Sequence, residues 1–338
     1  MKMESGTTQT GRMRLRHDAR AFIVLVAVTA LLFALGAGGL FSSNTMRYLL
    51  QIFLYIALGE AWNLLSGFAG MTSLGQQLYV GLAGYSLAVV TTLWHRPLTA
   101  GLLAGALVSV LAALLLSRLL FRLQGMYFAI AGWVAAEAAE KLFLNWSFVG
   151  KGSGMTVQLP VYPTVDKIYL LALLVCAGSV GVSLLILRLK LGLGLLAMRD
   201  DPVAAATVGV DLAWSRLAVY LTAALITALA GGVFFLNKGT IYPDSGFSIG
   251  WTVSVVFICI VGGTGSVLGP VVGSVVYVLL REFLAHYPGW SNIFLGLVTV
   301  VMILFLPEGI VSALGRLARR LRKQDAPARG QSNDTSRK

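Results

Sequence analysis

Three histidines, two cysteines and fourteen carboxylates are the groups from which this 338-residue chain could assemble acid–base, nucleophilic or metal chemistry. They are not arranged for it. His17, His95 and His286 lie far apart, and none has a cysteine or carboxylate at metal-ligand or catalytic-triad spacing. Cys176 and Cys259 sit inside apolar runs with no second ligand nearby, so they read as small buried hydrophobes. A phosphate-cradling loop needs G-x-x-x-x-G-K-[ST]. The Gly150-Lys151 pair has Asn145 at the first glycine position and Gly152 where Ser or Thr should follow. Gly192-x-Gly194-x-x-Ala197 mimics a dinucleotide fingerprint but follows an apolar run and not a strand. The chain is therefore expected to be no enzyme, to hold no metal or cofactor, and not to hydrolyse ATP by itself.

The polar residues inside apolar runs carry more information. A charge at the centre of a bilayer costs about 2.5–3.5 kcal/mol on insertion scales, so it must face protein or water. Glu60 lies in one run with Asn63 three residues on, and Glu137 and Glu140 lie in another with Lys141. One reading has them lining a polar translocation path or carrying protons. The other neutralises Glu137 with Lys141 and bonds Glu60 across a helix interface to Asn63 or Ser66. Gln76 and Gln77, after Ser73-Leu74-Gly75, either meet a polar solute at an inner mouth or cap backbone that the glycines free. Glu60, Asn63, Ser73, Gln76, Gln77 and Glu137 are the candidate path residues.

Composition sets the solvent in which these groups must be positioned. Apolar residues make up 57% and charged residues 12%, against about 25% charged in soluble domains. Ten apolar segments follow, near 21–41, 46–66, 73–93, 98–121, 124–144, 168–188, 217–237, 247–262, 266–284 and 290–306. Most reach the length of roughly 20 residues that a helix needs to span hydrocarbon; the eighth and ninth are short. The fold class is all-α, a polytopic membrane protein. With both tails inside, 19 of the 26 basic residues are cytoplasmic, including Arg118, Arg122, Arg188, Lys190, Arg199 and Arg216. The net charge of +12 is therefore topology and not nucleic-acid affinity. Residues 12–39 share features with a signal peptide, but the apolar stretch is long, so it is kept as a span; cleavage would leave nine. Residues 1–20 form a basic tail, 21–310 the membrane domain, and 311–338 a basic, disordered tail with affinity for anionic lipid.

Two connections stand out. The outer stretch 145–167 is rich in Gly and Pro and reads as irregular and exposed. The inner stretch 189–216 contains Asp201 as an N-cap, Pro202 at the first helical position, Ala204 to Ala206, and Gly209 as a stop. That predicts a helix of about two turns with a small-residue face, suited to another protein's groove. Glycines Gly81, Gly84, Gly269 and Gly273, three or four apart, let helices approach closely. Gly67-x-x-Gly70 leading to Gly75 is echoed by Gly262-Gly263-x-Gly265 leading to Gly269-Pro270, through internal duplication or through glycine packing alone. Trp94, Trp146, Trp290, Tyr162, Tyr242 and Tyr287 form the expected aromatic belt.

The stretch Ala61-Trp-Asn63-Leu-Leu-Ser-Gly67-Phe-Ala-Gly70-Met-Thr-Ser73-Leu-Gly75 resembles the N-L-x-x-G-x-x-G-x-x-S-L-G segment of branched-chain amino acid ABC transporter permeases of the LivM type. So do Arg122 to Ala129, Ala197 to Val210, Ala223 to Gly231, Gly262 to Pro270, and Leu306 to Gly309. The resemblance implies an inner-membrane permease subunit for branched-chain or other hydrophobic amino acids. Its partners would be a second, LivH-like permease, two cytosolic ATPases that hold ATP and Mg, and an external solute-binding protein. Arg199, Asp200, Asp201, Pro202, Ala205, Ala206 and Gly209 would form the segment coupled to the ATPases. Gln76 stands where the family often has His or another polar residue, which leaves the solute open; a urea or short-chain amide permease is the near alternative. An autonomous carrier or channel would need no docking helix, and a structural membrane protein would couple no ATP to solute movement.

Overall fold

The computed structural model describes residues 22–36, 38, 41–284, 296–297 and 309–313. The N-terminal tail, all but residues 296–297 of the segment expected at 290–306, and residues 314–338 lie outside these, as do His17, His286, Tyr287, Trp290 and Leu306 to Glu308.

Within the described residues every expected segment is helical. The helices are α1 (Phe22–Gly36), α2 (Ser43–Asn63), α3 (Gln76–Ala88), α4 (Leu98–Leu120), α5 (Met126–Asn145), α6 (Val165–Arg188), α7 (Lys190–Asp200), α8 (Pro202–Thr207), α9 (Leu212–Lys238), α10 (Pro243–Gly246), α11 (Gly250–Gly262) and α12 (Leu268–Leu284). Wide π-type turns at Leu64–Phe68 and Val89–Leu93 extend α2 and α3. Five of these segments are long and apolar enough to cross a membrane.

The helices are inside-out relative to a soluble bundle. On α4, Leu103, Leu107, Leu111, Leu115 and Leu119 recur every fourth residue and are exposed. Its buried face is Gly101, Gly105, Ser109, Ala113 and Ser117. Small residues inward and leucines outward suit a helix lying between lipid and a protein neighbour. At the centre is α2, buried on every side from Phe53 to Asn63 by α6, α9, α11 and α12. A helix apolar all round is stable only in such a place.

α3 and α11 are short for a structural reason: each starts inside the bundle. α3 runs to an end where Thr92 Oγ1 donates to Thr156 O, and α11 runs to the opposite end, where its hairpin meets Gly67. Their starts nevertheless touch, since Thr252 donates to Gln77 Oε1. At 1.5 Å per residue Gln77 lies about 22 Å from Thr92, and Thr252 about 15 Å from Gly262. Two discontinuous helices thus begin near the middle of the bundle.

The connection after α5 departs from the expected irregular loop. It makes two 3₁₀ turns (Ser147–Val149, Lys151–Ser153) and a strand, β1 (Met155–Thr156), antiparallel to β2 (Thr240–Ile241). Tyr162 pins it further by donating to Leu236 O, and partial burial pushes its phenol above the usual range. α7 is a second departure, a helix within the 189–216 connection ahead of the one expected at Asp201 to Gly209. Gly192 is there because a Cβ would lie 2.5 Å from Ile186 O; tight apposition to the end of α6 demands glycine.

Candidate functional site

One end of the bundle gathers Arg118, Arg122, Arg199 and Arg216, with Arg188 and Lys190 at the α6–α7 joint. α8 lies there. Asp201 caps it, its Oδ1 accepting from Val203 N (2.8 Å) and Ala204 N (3.1 Å), with Pro202 at N1. The chain turns away through Gly209 at φ +89°, a conformation natural only to glycine. Ala205 is buried where α8 packs on the chain's own α7 and α9, whereas Val203, Ala206 and Val208 are exposed. Of the expected coupling residues, Ala205 thus seats the helix and Ala206 faces outward. Removing the cap costs a helix about 1 kcal/mol. Asp201→Ala should therefore speed hydrogen exchange at Val203 to Thr207 by about fivefold, read by mass spectrometry.

α8 is tied to the core through the residue before Asp200. Arg199 Nη1 donates to Gly67 O at 3.0 Å, while Nε and Nη2 bond Asp200 Oδ1 at 3.3 and 3.2 Å. The glycines on both sides are needed for this approach. A Cβ at Gly70 would meet Arg199 Cα at 3.1 Å, and one at Gly265 would meet Nη1 at 3.1 Å. Asn63 closes the junction: its Oδ1 accepts from Gly265 N (2.8 Å) and its Nδ2 donates to Ser266 O (3.0 Å). The two Gly motifs read separately in sequence are one contact, with Arg199 laid across it. The second hairpin is equally tight, since a Cβ at Gly262 would lie 1.8 Å from Gly269 O and one at Gly269 2.0 Å from Gly263 O. Pro270 packs on Gly59 of α2.

The candidate path residues divide among three places. Asn63 serves the junction and does not bond Glu60. Glu60 is sealed in the core beside Ser183, Cys176 and Cys259, and neither carboxylate oxygen has a hydrogen-bond partner among the described residues. Glu137 lies on an exposed face of α5, 3.3 Å from Lys141, which also bonds Glu140 at 2.8 Å. Ser73, Gln76 and Gln77 stand together where α3 begins. Ser73 O accepts from Trp62 Nε1 (2.8 Å) and its Oγ from Gly75 N (3.3 Å). Gly75 abuts Gly132 of α5, where a Cβ would come within 2.6 Å of the carbonyl oxygen. Gln76 is buried with no side-chain partner among the described residues, and Gln77 bonds Thr252 through Oε1 alone.

Beside this start lies a cleft of about 360 Å³ bounded by Leu74, Trp133, Ile249, Thr252, Val253, Val256 and Phe257. None of these was singled out from sequence. The available signal was the Asp244-Ser-Gly-Phe-Ser-Ile-Gly250 stretch, whose turn-forming residues mark a break just before a short apolar run.

Comparison with known proteins gives concordant results. The family described as branched-chain amino acid transport system, permease component, matches residues 44–306. The high-affinity branched-chain amino acid transport system permease protein LivM of Escherichia coli K12 is 24% identical over 322 residues, 85% of this chain and 74% of that protein. The LivM protein of Salmonella typhimurium is 25% identical over 288 residues, 76% and 68% of the two chains. The fructose import permease protein FrcC of Rhizobium meliloti is 30% identical over 114 residues, 32% of each. No solved structure matches the chain.

Proposed function

Because the chain belongs to the branched-chain amino acid transport system permease family, we propose that it conducts amino acids with branched or other apolar side chains into the cytoplasm as one subunit of an ATP-driven importer. The solute follows from the two relatives matched along most of their length, both named for branched-chain amino acids; the fructose permease matches only a third of this chain.

The observation that carries the mechanism is the Arg199 junction. α8 presents Val203, Ala206 and Val208 to a partner, and Arg199, three residues before Pro202, holds the carbonyl of Gly67 and lies against Gly265. A push on α8 by a partner ATPase would move the ends of α2 and α11 together. Rigid elements shifting about such a joint are a recognised route to alternating access. ATP and Mg belong to those ATPases, and the basic end of the bundle is then cytoplasmic, in keeping with the positive-inside rule. The bacterial inner membrane, with both termini cytoplasmic, is the location this orientation supports.

A second permease subunit is supported by α5. Glu137 and Lys141 share an exposed face with Trp133 and Val134, and a charged pair is costly against hydrocarbon. Covering by a partner, with water between, removes that cost. The opposite end, with β1 and β2, would receive an external binding protein.

The test is charge on the outward face of α8. Val203→Glu with Ala206→Glu should reduce ATP-driven leucine uptake at least tenfold in vesicles holding the complete transporter. Undiminished uptake by this variant, or full uptake with no ATPase subunit present, would sink the importer reading.

A further inference from the structure

We propose that the cleft where the end of α4 meets the start of α9 binds an anionic phospholipid of the adjoining leaflet. Arg118 and Arg122 hold its headgroup phosphate, Trp214 flanks the headgroup, and an acyl chain lies along the leucine face of α4. The site needs only that the chain stands in a bilayer, whatever solute it carries.

The anionic half of the ligand follows from two cations without a counter-ion. The cleft, about 390 Å³, is walled by Arg118, Phe121 and Arg122 at the α4 end and by Trp214 and Leu217 of α9. Both arginines are exposed, and neither guanidinium has an ion-pair, hydrogen-bond or ring partner among the described residues. No carboxylate is among the described residues that line the cleft. Asp211, the acid nearest in sequence to its α9 wall, caps that helix by accepting from Trp214 N at 3.0 Å. Ser117, also on the wall, already donates its hydroxyl to Leu114 O at 2.7 Å. Recognition of an anion here therefore falls to the two guanidiniums, whose planar forks match phosphate oxygens.

The apolar half follows from what adjoins the cleft. With 3.6 residues per turn, Arg118 projects between Leu107 and Leu111 on the circumference of α4, within its exposed leucine face. Phe121 and Leu217 carry that apolar surface into the cleft. An acyl chain reaching the bilayer midplane runs about 15 Å. α4 from Arg118 back to Val108 has that length at 1.5 Å per residue. Trp214 is exposed beside the arginines, the place an indole takes at headgroup depth. A free phosphate would leave the apolar surface unused, and a plain hydrocarbon would leave the arginines unanswered. A phospholipid of net negative charge answers both, whereas a zwitterionic one brings its own cation to the same place.

Trp214 itself supplies the readout. The complete transporter is reconstituted in mixed bilayers in which either phosphatidylglycerol or phosphatidylcholine carries bromine on its acyl chains. The quenching present in the parental protein and absent from Trp214→Phe is followed, so that all other tryptophans cancel. Each arginine near an anionic headgroup contributes about fivefold in affinity, so phosphatidylglycerol should be preferred to phosphatidylcholine about tenfold or more. Arg118→Gln with Arg122→Gln should erase the preference and keep the parental thermal midpoint, since both side chains are exposed. Arg47→Gln with Arg96→Gln removes the same charge at the opposite end of the bundle and should keep the preference. Inorganic phosphate should displace no more lipid than chloride does at equal ionic strength. Equal quenching by the two lipids would overturn the proposal. So would a preference that survives loss of Arg118 and Arg122, or one that falls equally in the Arg47 and Arg96 variant. Displacement by inorganic phosphate would make the occupant a free anion, and a Trp214 shielded from both lipids would make it a protein; either result overturns the lipid assignment.

Discussion

Replacing Arg199 with alanine should leave ATP hydrolysis by the partner subunits running while uptake falls at least tenfold. Arg199 is three residues from the first residue of α8, and its guanidinium spans two tasks: Nη1 holds Gly67 O, and Nε with Nη2 holds Asp200. Hydrogen bonds made by a charged group contribute about 1.5–3 kcal/mol. The loss includes the contact that joins the α7–α8 segment to the end of α2. In the proposed importer hydrolysis belongs to the partner subunits, so a severed joint would waste ATP without stopping its consumption. Lysine is a graded test. Its ammonium is a single compact head and cannot hold both partners in the planar fork that arginine supplies. Arg199→Lys should recover part of the uptake, and Asp200→Ala should cost less than either. The measurement is leucine uptake per ATP hydrolysed in proteoliposomes; a ratio within twofold of parental for Arg199→Ala would remove Arg199 from the coupling route.

What could be read from sequence here depended on whether the signal was local. α8 was legible from end to end because each boundary residue acts on its own neighbours: Asp201 on the N–H groups of 203 and 204, Pro202 on its own φ, Gly209 on the turn. The Gly67–Gly70 and Gly262–Gly265 motifs were legible as hairpins for the same reason. Their union with Arg199 was not. The bond from Arg199 to Gly67 crosses 132 residues, and a glycine that makes room for a distant backbone looks like a glycine that makes a turn. Asn63 shows the converse error. Its spacing from Glu60 put the two on one helical face, yet its amide serves Gly265 and Ser266, because the chain beyond α2 continues as a π-type turn beside the other hairpin.

The starts of α3 and α11 show where length alone falls short. The apolar run at 247–262 was visibly short, but only the fold brings Thr252 against Gln77, 175 residues away. Gln76 and Gln77 were singled out for their chemistry, whereas Trp133 and Val253 looked like ordinary membrane residues. α7 was hidden by Gly192 and Gly194, which lower helix propensity by nearly 1 kcal/mol each. Tertiary packing overrode that preference.

Alanine at Gly262 should deplete the folded protein, while alanine at Gly178 should leave it unchanged. At Gly262 the new Cβ would lie 1.8 Å from Gly269 O and 2.5 Å from its carbonyl carbon. Both are backbone atoms, so no rotamer change relieves the overlap and the two helices must part. Gly269 and Gly273 leave no slack, since a Cβ at either would come within 2.0 Å of a carbonyl on α11 or its end. Overpacking costs about 1–3 kcal/mol and sometimes more; a backbone-to-backbone contact belongs at or above the top of that range. Separation of α11 from α12 also moves Gly265 and Ser266, and with them both bonds of Asn63 and the seat of Arg199. A Cβ at Gly178 on α6 would meet nothing within 4 Å among the described residues, so the same added methyl there controls for the substitution itself. Size-exclusion chromatography of the detergent extract and the thermal midpoint of the purified complex are the readouts. A Gly262→Ala protein with a parental midpoint would mean that α11 and α12 do not meet backbone to backbone, and the joint through which α8 is proposed to act would lose its rigid side.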